Sequence, residues 1–399
     1  MFKSDRRYHL APLQTTFCLT AVFLVCGGCA DAPSNSTGIP AETGFYGVRE
    51  DQRVWWITDP EGRSTLSRGV NVVRYEGDFA PALGFAPYGR AVEEIYGSRE
   101  AWTVSAISSL RSWGFNTLGS WSDPELYTSG LAYTHNLNMA RSVPGKPIFP
   151  DVFAQSFEST ADRVAAAECA PRSQDPALLG YYLDNELHWG ESWHSDQGLL
   201  SLHFATEPEA PGRIAAIAYL RSTYETIEQM NRALDADLSS WAALEELAEL
   251  RDLGPHIAMA QRAIQGAFFD RLVESGAITR DALFEGSKRM VGGSIQTLNR
   301  LRGTNFESFD EAFSFRPLTP LAERLRELER GFSAHVAARS FQVTTEAIRR
   351  HDPNHMILGV RFGGVVFEPV ARAMGPWVEI ASMNPYRTIP GPELGKLHT

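Results

Sequence analysis

The decisive stretch of the sequence is LLGYYLDNELHW at residues 178–189. Its first half, residues 178–183, is apolar or aromatic and carries no charge, which is typical of a strand buried on both faces. Asp184, Asn185 and Glu186 follow at once and place three polar side chains at the carboxyl end of that strand. Catalytic groups of parallel β/α barrels lie at this end of the strands. The stretch therefore predicts a buried parallel strand with a polar site at its end.

Short apolar strands alternate with helical stretches on both sides of this segment. This alternation favours a parallel α/β architecture. Six strands can be placed, whereas a complete (β/α)8 TIM barrel requires eight. The predicted fold is therefore a TIM barrel truncated after about six strands; strands overlooked within a long helical region are the alternative. The predicted strands comprise residues 68–73, 114–119, 131–137, 178–183, 356–360 and 378–383.

The barrel domain is predicted to comprise residues 68–399, with a helical insertion at about residues 211–350, after the fourth strand. The insertion is inferred because this stretch is much longer than the single helix that usually connects two parallel strands. In front of the barrel, residues 45–67 predict a β-hairpin that packs on it. The sequence DPEG at residues 59–62 supplies its turn, since proline presets φ and glycine accepts a positive φ.

The first residues have the composition of an export signal. Basic residues near the start precede an apolar run at residues 17–25, and small residues then precede Cys29. The run is short for a membrane span, so this order predicts a signal peptide. It resembles a bacterial lipoprotein signal of residues 1–29, in which Cys29 is lipidated; an ordinary secretory signal cut nearby is the alternative. Residues 30–44, rich in Ser, Pro, Thr and Ala, predict a flexible tether.

The overall composition narrows the classes of function. The 399 residues carry a net charge of −11, which argues against nucleic acid as the main partner, because phosphate binding needs a basic surface. The four cysteines have neither metal-site spacing nor the pattern of a disulfide framework, and we expect no metal and no cofactor. Nine tryptophans and twelve tyrosines suit stacking on the apolar faces of sugar rings, although core packing is the alternative for any single one.

Glu186 is the candidate catalytic residue. A glycosidase needs a carboxylic acid that keeps its proton for the leaving oxygen, and burial against aromatic side chains raises the pKa of such an acid. Glu186 lies among aromatic residues and directly after Asn185, whose amide can hydrogen-bond a sugar hydroxyl. From these residues alone, the alternative is supported equally: Asp184 and Glu186 cap the next helix or form ion pairs.

Several motifs together resemble a known family. Asn185-Glu186 at the end of the fourth predicted strand resembles the acid/base motif of clan A retaining glycosidases. The segments that carry a longer resemblance, to the β-agarases, are WWITDPEG at residues 55–62 leading to RGVN at 68–71, FPDVF at 149–153, and DPNHMILGVRF at 352–362. The resemblance extends over residues 44–386, in the same order along the chain.

The resemblance implies a retaining double displacement on a β-linked, agar-like galactan. Glu186 would act as the acid/base, and a second Glu, at the end of a seventh strand, as the nucleophile. Glu393 is the only acidic residue after Tyr386 and lies in a predicted loop. We therefore expect the nucleophile to lie beyond Thr399, which would make the sequence a fragment with little or no activity.

Further polar and aromatic residues follow the predicted strands and are candidates for substrate binding. Asn71, Arg74, His135 and Tyr386 can hold sugar hydroxyls, with structural hydrogen bonding as the alternative for each. Trp121, His188 and Trp189 can form a wall against which a sugar ring stacks. The full set of predicted substrate-binding residues is Asn185, Asn71, Arg74, Trp121, His135, His188, Trp189, Asn384 and Tyr386.

The sequence thus predicts an exported, lipid-anchored glycoside hydrolase at the outer membrane or cell surface, acting on an extracellular β-linked polysaccharide or oligosaccharide. A non-catalytic surface lipoprotein that binds glycans through a barrel scaffold is the alternative. A hydrolase of another kind on the same fold would require metal ligands or a Ser/His pair at the strand ends, and the sequence predicts neither.

Overall fold

The computed structural model describes residues 22–23, 44–145, 147–192, 194–195, 197–274, 279–302, 306–312, 318–363 and 366–384. The predicted lipidation site Cys29, the tether at residues 30–43, Tyr386 and Glu393 lie outside these residues. Within the described part of the chain, every helix is too short or too polar to cross a membrane.

Strands and helices alternate along much of the chain. The strands are β1 (Val22–Phe23), β2 (Gly47–Asp51), β3 (Val54–Thr58), β4 (Ser64–Thr65), β5 (Gly69–Val70), β6 (Thr117–Leu118), β7 (Ala132–Asn136), β8 (Leu178–Tyr182), β9 (Met356–Ile357), β10 (Phe362–Gly363) and β11 (Ala381–Asn384). The α-helices are α1 (Pro87–Tyr96), α2 (Arg99–Ser112), α3 (Gln155–Glu168), α4 (Leu199–Phe204), α5 (Pro211–Thr223), α6 (Ile227–Leu234), α7 (Trp241–Glu245), α8 (Pro255–Glu274), α9 (Arg280–Met290), α10 (Ile295–Arg302), α11 (Phe309–Ala312), α12 (Pro320–His351) and α13 (Glu368–Met374).

A parallel sheet forms the centre of the protein. Strands β5 to β9 are hydrogen-bonded neighbours in sequential order, and each pair is parallel. Strand β10 pairs in parallel with β11, whose other edge pairs antiparallel with β1. Each of the six predicted strands overlaps an observed one, so the predicted parallel α/β architecture is confirmed.

One apolar cluster joins the central sheet to the smaller sheet near the N-terminus. Strands β2, β3 and β4 form an antiparallel sheet at the position of the predicted hairpin. Ile57 of β3 belongs to a buried cluster with Leu179 and Tyr182 of β8, Leu358 and Ile380. A second and larger cluster joins other residues of the central strands to the helices. The central strands therefore contribute to two separate apolar layers.

A large helical region separates β8 from β9. It contains α4 to α12, which agrees with the excess length from which an insertion is predicted here. The last of these helices, α12, is capped by Thr319, whose side chain accepts a hydrogen bond from the backbone of Ala322. At its other end the buried Asp352 carboxylate lies 2.7 Å from His355 Nδ1 and accepts a 2.7 Å hydrogen bond from the Tyr181 hydroxyl. These contacts join the end of α12 to the central sheet.

Candidate active site

Four strand ends contain a residue with left-handed backbone geometry. Val72, Trp121, Asn138 and Glu186 have φ values of +59°, +61°, +53° and +51°, and they follow β5, β6, β7 and β8. Residues with a Cβ atom adopt this conformation at an energetic cost, and it is most unusual for a β-branched residue such as Val72. Backbone strain of this kind tends to be concentrated at functional sites. The carboxyl end of the sheet is therefore the candidate site.

Glu186 is held between neighbouring strands. Its Oε1 atom accepts a 2.7 Å hydrogen bond from Nδ2 of Asn384, which is the last residue of β11. The same nitrogen lies 3.2 Å from Oδ1 of Asn185. The backbone nitrogen of Glu186 donates to the carbonyl oxygen of Arg361 at 2.9 Å. Both the backbone and the carboxyl group of Glu186 are therefore hydrogen-bonded to residues of the strands that follow β8 or directly adjacent to them.

Arg361 is linked to this carboxyl group through Asn384. It is only 3% exposed, and its Nε atom donates to Oδ1 of Asn384 at 3.2 Å. The guanidinium carbon lies 4.8 Å from the ring centroid of Trp121 and 5.4 Å from that of Tyr182, so the cation contacts two aromatic rings. Arg361 directly follows the apolar residues 356–360, and this position is the sequence signal that could have placed it near the site.

Trp121 and Asn71 are brought to the same end of the sheet. Trp121 remains 39% exposed while its ring contacts the Arg361 guanidinium. Asn71 packs so closely against Gly119 that a Cβ atom on Gly119 would collide with Oδ1 of Asn71. Arg74, in contrast, forms long 3.4 Å contacts with Asp78 and the carbonyl oxygen of Gly77, within its own exposed loop.

The structure corrects the predicted role of His135. Its Nε2 atom lies 3.0 Å from Oε2 of Glu168, the last residue of α3. Its ring also forms a T-shaped contact with Tyr181, which belongs to the large core cluster that includes the helices. Burial lowers the pKa of His135, with a further contribution from the positive charge of Arg172. His135 thus faces the helices, because it shares a strand face with Tyr133, and the interpretation as a substrate contact is wrong.

His188 and Trp189 are also corrected. His188 is buried, with Nδ1 2.6 Å from Oγ of Ser192 and Nε2 2.8 Å from the carbonyl oxygen of Gln197. Burial lowers the pKa of His188 to about 4, so the ring is neutral near pH 7. Trp189 stacks on Phe341 of α12 at a centroid distance of 5.4 Å, within the large core cluster. After Glu186 the chain turns back into the core, and neither ring presents a face for a sugar.

Asp184 has a structural role. It is buried and accepts hydrogen bonds from the backbone nitrogens of Ala140 at 2.9 Å and Arg141 at 3.4 Å. Burial raises the pKa of Asp184 to about 7, against the opposing effect of these hydrogen bonds. The carboxyl group connects β8 to the segment after β7. Asp184 therefore binds backbone groups of an earlier segment instead of capping the next helix, whereas Glu186 lies in the site. No group of three or more potential metal ligands occurs among the described side chains.

The sequence was compared with those of known proteins and protein families. No family model matches the chain. Beta-agarase A of Vibrio sp. (strain JT0107) is 22% identical over 286 residues, which cover 56% of this chain and 29% of the agarase. Beta-agarase B of the same organism is 27% identical over 221 residues, 50% of this chain and 22% of that protein. The chain resembles the β-agarases. It spans less than a third of the length of either of these two relatives.

Solved structures show the same fold. A structure of an exo-β-agarase superposes with a TM-score of 0.55 and 18% identity, covering 88% of this chain and 50% of the agarase. The crystal structure of another agarase gives a TM-score of 0.53 and 17% identity, over 85% and 48% of the two chains. The fold is thus shared with β-agarases over most of this chain and about half of theirs.

Proposed function

We propose that the protein is a retaining glycoside hydrolase that cleaves a β-galactosidic, agar-like polysaccharide, with Glu186 as its acid/base. The hydrogen bond that fixes Glu186 to Asn384 at the carboxyl end of the parallel sheet is the observation that carries this proposal. The sequence resemblance to β-agarases supports the class of substrate. We also propose that the parallel strands are part of a TIM barrel, since the polar strand ends gather as they do at the active face of such barrels.

The geometry suits proton transfer at a glycosidic oxygen. In a retaining mechanism one carboxylic acid protonates the leaving oxygen while a second carboxylate, about 5 Å away, attacks the anomeric carbon. The first residue then acts as a base and activates water. Glu186 is half-buried, which leaves it access to a bound ligand, and one of its oxygens is anchored by Asn384. Asn185, Asn71 and the exposed Trp121 are the residues we propose to hold the sugar beside it.

Glu186→Gln tests the role of Glu186 in the protein as its gene encodes it. We expect turnover of agarose to fall by about two orders of magnitude or more, because general acid catalysis contributes roughly 10²- to 10⁴-fold. An aryl β-galactoside with a good leaving group needs less help from the acid in bond cleavage. Added azide should therefore restore turnover of that substrate, since azide attacks the glycosyl intermediate without a general base. Release of reducing ends and of the phenol measures the two reactions.

The matched control is Glu368→Gln, which changes an exposed residue on α13 that pairs with Arg372. We expect this variant to keep the turnover of the unmodified protein. Unchanged agarose hydrolysis by Glu186→Gln would remove Glu186 from the mechanism. Binding of agaro-oligosaccharides without turnover by the unmodified protein would instead favour the glycan-binding alternative.

We further propose that the protein is exported and anchored to the membrane through a lipid on Cys29. The order of basic, apolar and small residues before Cys29 supports this proposal. Metabolic labelling with radioactive palmitate should mark the protein, and Cys29→Ser should abolish the label. Labelling that persists in Cys29→Ser would rule out this anchor.

A further inference from the structure

We propose that Asn384 and Arg361 form a positioning pair that fixes the orientation of the Glu186 carboxyl group and determines which of its oxygens carries the transferable proton. The role of this pair in catalysis rests on the proposed function. The arrangement itself can be tested without any turnover.

The first argument is the direction of the hydrogen bonds. A guanidinium group can only donate, and an ionised carboxylate can only accept. Arg361 donates to Asn384 at 3.2 Å, so the oxygen of the amide must face Arg361. The amide nitrogen then faces Glu186, to which it donates at 2.7 Å, and Oδ1 of Asn185, 3.2 Å away. Arg361 therefore excludes the flipped amide, which would present an acceptor to the carboxylate.

The second argument is burial. Asn384 is only 6% exposed and Arg361 only 3%, and the Arg361 guanidinium lies against the rings of Trp121 and Tyr182. A buried cation between aromatic rings has little freedom to turn. Asn384 is predicted from the sequence to bind substrate, but its amide is engaged with three protein side chains. It acts on the reaction through Glu186.

These contacts have a chemical consequence for Glu186. Oε1 accepts the Asn384 hydrogen bond, so the proton of the acid form is directed to Oε2. In the second step of a retaining mechanism, when the acid/base activates water, the same Oε2 atom would take up the proton of that water. The pair would therefore hold one carboxyl oxygen in place for proton transfer in both steps.

Four substitutions separate orientation from charge. Asn384→Ala removes the donor, and Asn384→Asp replaces it with a second negative charge. Arg361→Lys keeps the charge but lacks the planar Nε donor, whereas Arg361→Met removes both. We expect the pKa of Glu186 to rise in every variant, least in Arg361→Lys. Arg372→Met, which removes an exposed cation from α13, is the matched control and should leave the pKa of Glu186 unchanged.

The measurement is direct titration of the carboxyl group. The chain is labelled with ¹³C at the glutamate carboxyl carbon, and the Glu186 resonance is the one missing from Glu186→Gln. We expect the midpoint to rise in Asn384→Ala and Arg361→Met, because the carboxylate loses the oriented donor that Asn384 presents to its Oε1 atom. Asn384→Ser replaces Asn384→Ala if the latter does not fold.

The outcomes distinguish the two proposals. A Glu186 titration that is the same in the unmodified chain and in the Asn384 variants, or that shifts as much in Arg372→Met, would overturn the positioning pair. A midpoint that rises in the Asn384 and Arg361 variants of a protein that hydrolyses no galactan would support the positioning pair and contradict only the proposed function. Where turnover is present, the alkaline limb of the pH–rate profile should move to higher pH together with the titration midpoint of each variant.

Discussion

Three features of Trp121 bear on its proposed role in sugar stacking. It follows a central strand, it is held in a left-handed backbone conformation, and its ring is in contact with the buried Arg361 cation while part of it stays exposed. The cation restricts the ring, so less conformational entropy is lost when a ligand packs against it. Glu186 has a similar left-handed backbone conformation at the carboxyl end of β8.

Trp121→Ala should weaken the binding of agaro-oligosaccharides about fivefold, because stacking on an aromatic ring contributes on the order of 1 kcal/mol. Titration calorimetry with the unmodified chain and the variant measures the change. Trp113→Ala is the control, since Trp113 is an exposed tryptophan at the end of α2. Equal affinities of Trp121→Ala and Trp113→Ala would show that Trp121 is not part of the binding surface.

The order and direction of the strands are readable from the sequence because strand and helix patterns are local. The faces of the strands are not, since a strand buried on both sides is apolar throughout. His135 was misassigned because the sequence does not show which face of β7 its side chain occupies, and β7 also contains an irregular register between Tyr133 and Thr134. The network of Asn384 and Arg361 depends on the pairing of β10 with β11, which no local pattern specifies. Glu186, at the end of the best-defined strand, was located because its position needs only local information.

Gly180 shows how closely β8 and β9 approach. A Cβ atom there would lie 2.5 Å from the carbonyl oxygen of Met356 and 3.0 Å from Cγ of Leu358. Gly180→Ala should therefore lower the free energy of unfolding by about 1–3 kcal/mol, as overpacking does, measured by denaturant titration. Gly266→Ala is the matched control, because a Cβ atom at this position in α8 meets nothing within 4 Å. This control should raise stability by up to about 1 kcal/mol. A Gly180→Ala variant as stable as the unmodified chain would contradict the close approach.

The helical region is joined internally by a buried carboxyl group. Glu329 of α12 accepts hydrogen bonds from the backbone nitrogens of Leu200 at 2.8 Å and Ser201 at 3.2 Å, and from the Ser201 hydroxyl. Gln261 of α8 donates to that hydroxyl at 2.9 Å. Three helices that are distant in sequence thus share one buried polar network. Because α12 leads directly into β9, we expect this network to affect the stability of the whole molecule.

Burial raises the pKa of Glu329 from the ordinary value of 4.5 to about 7, although its hydrogen bonds act in the opposite direction. The folded state therefore holds this proton more tightly than the unfolded chain. Its contribution to stability is complete below pH 4.5 and is lost as the pH rises through about 7. The loss of unfolding free energy caused by Glu329→Gln should be larger at about pH 5 than at about pH 8, as denaturant titrations at both values would show. Glu327→Gln, on an exposed position of α12, should change stability little at either pH. A Glu329→Gln effect that is constant, or that grows as the pH rises, would mean that Glu329 is already ionised in the folded protein at acid pH.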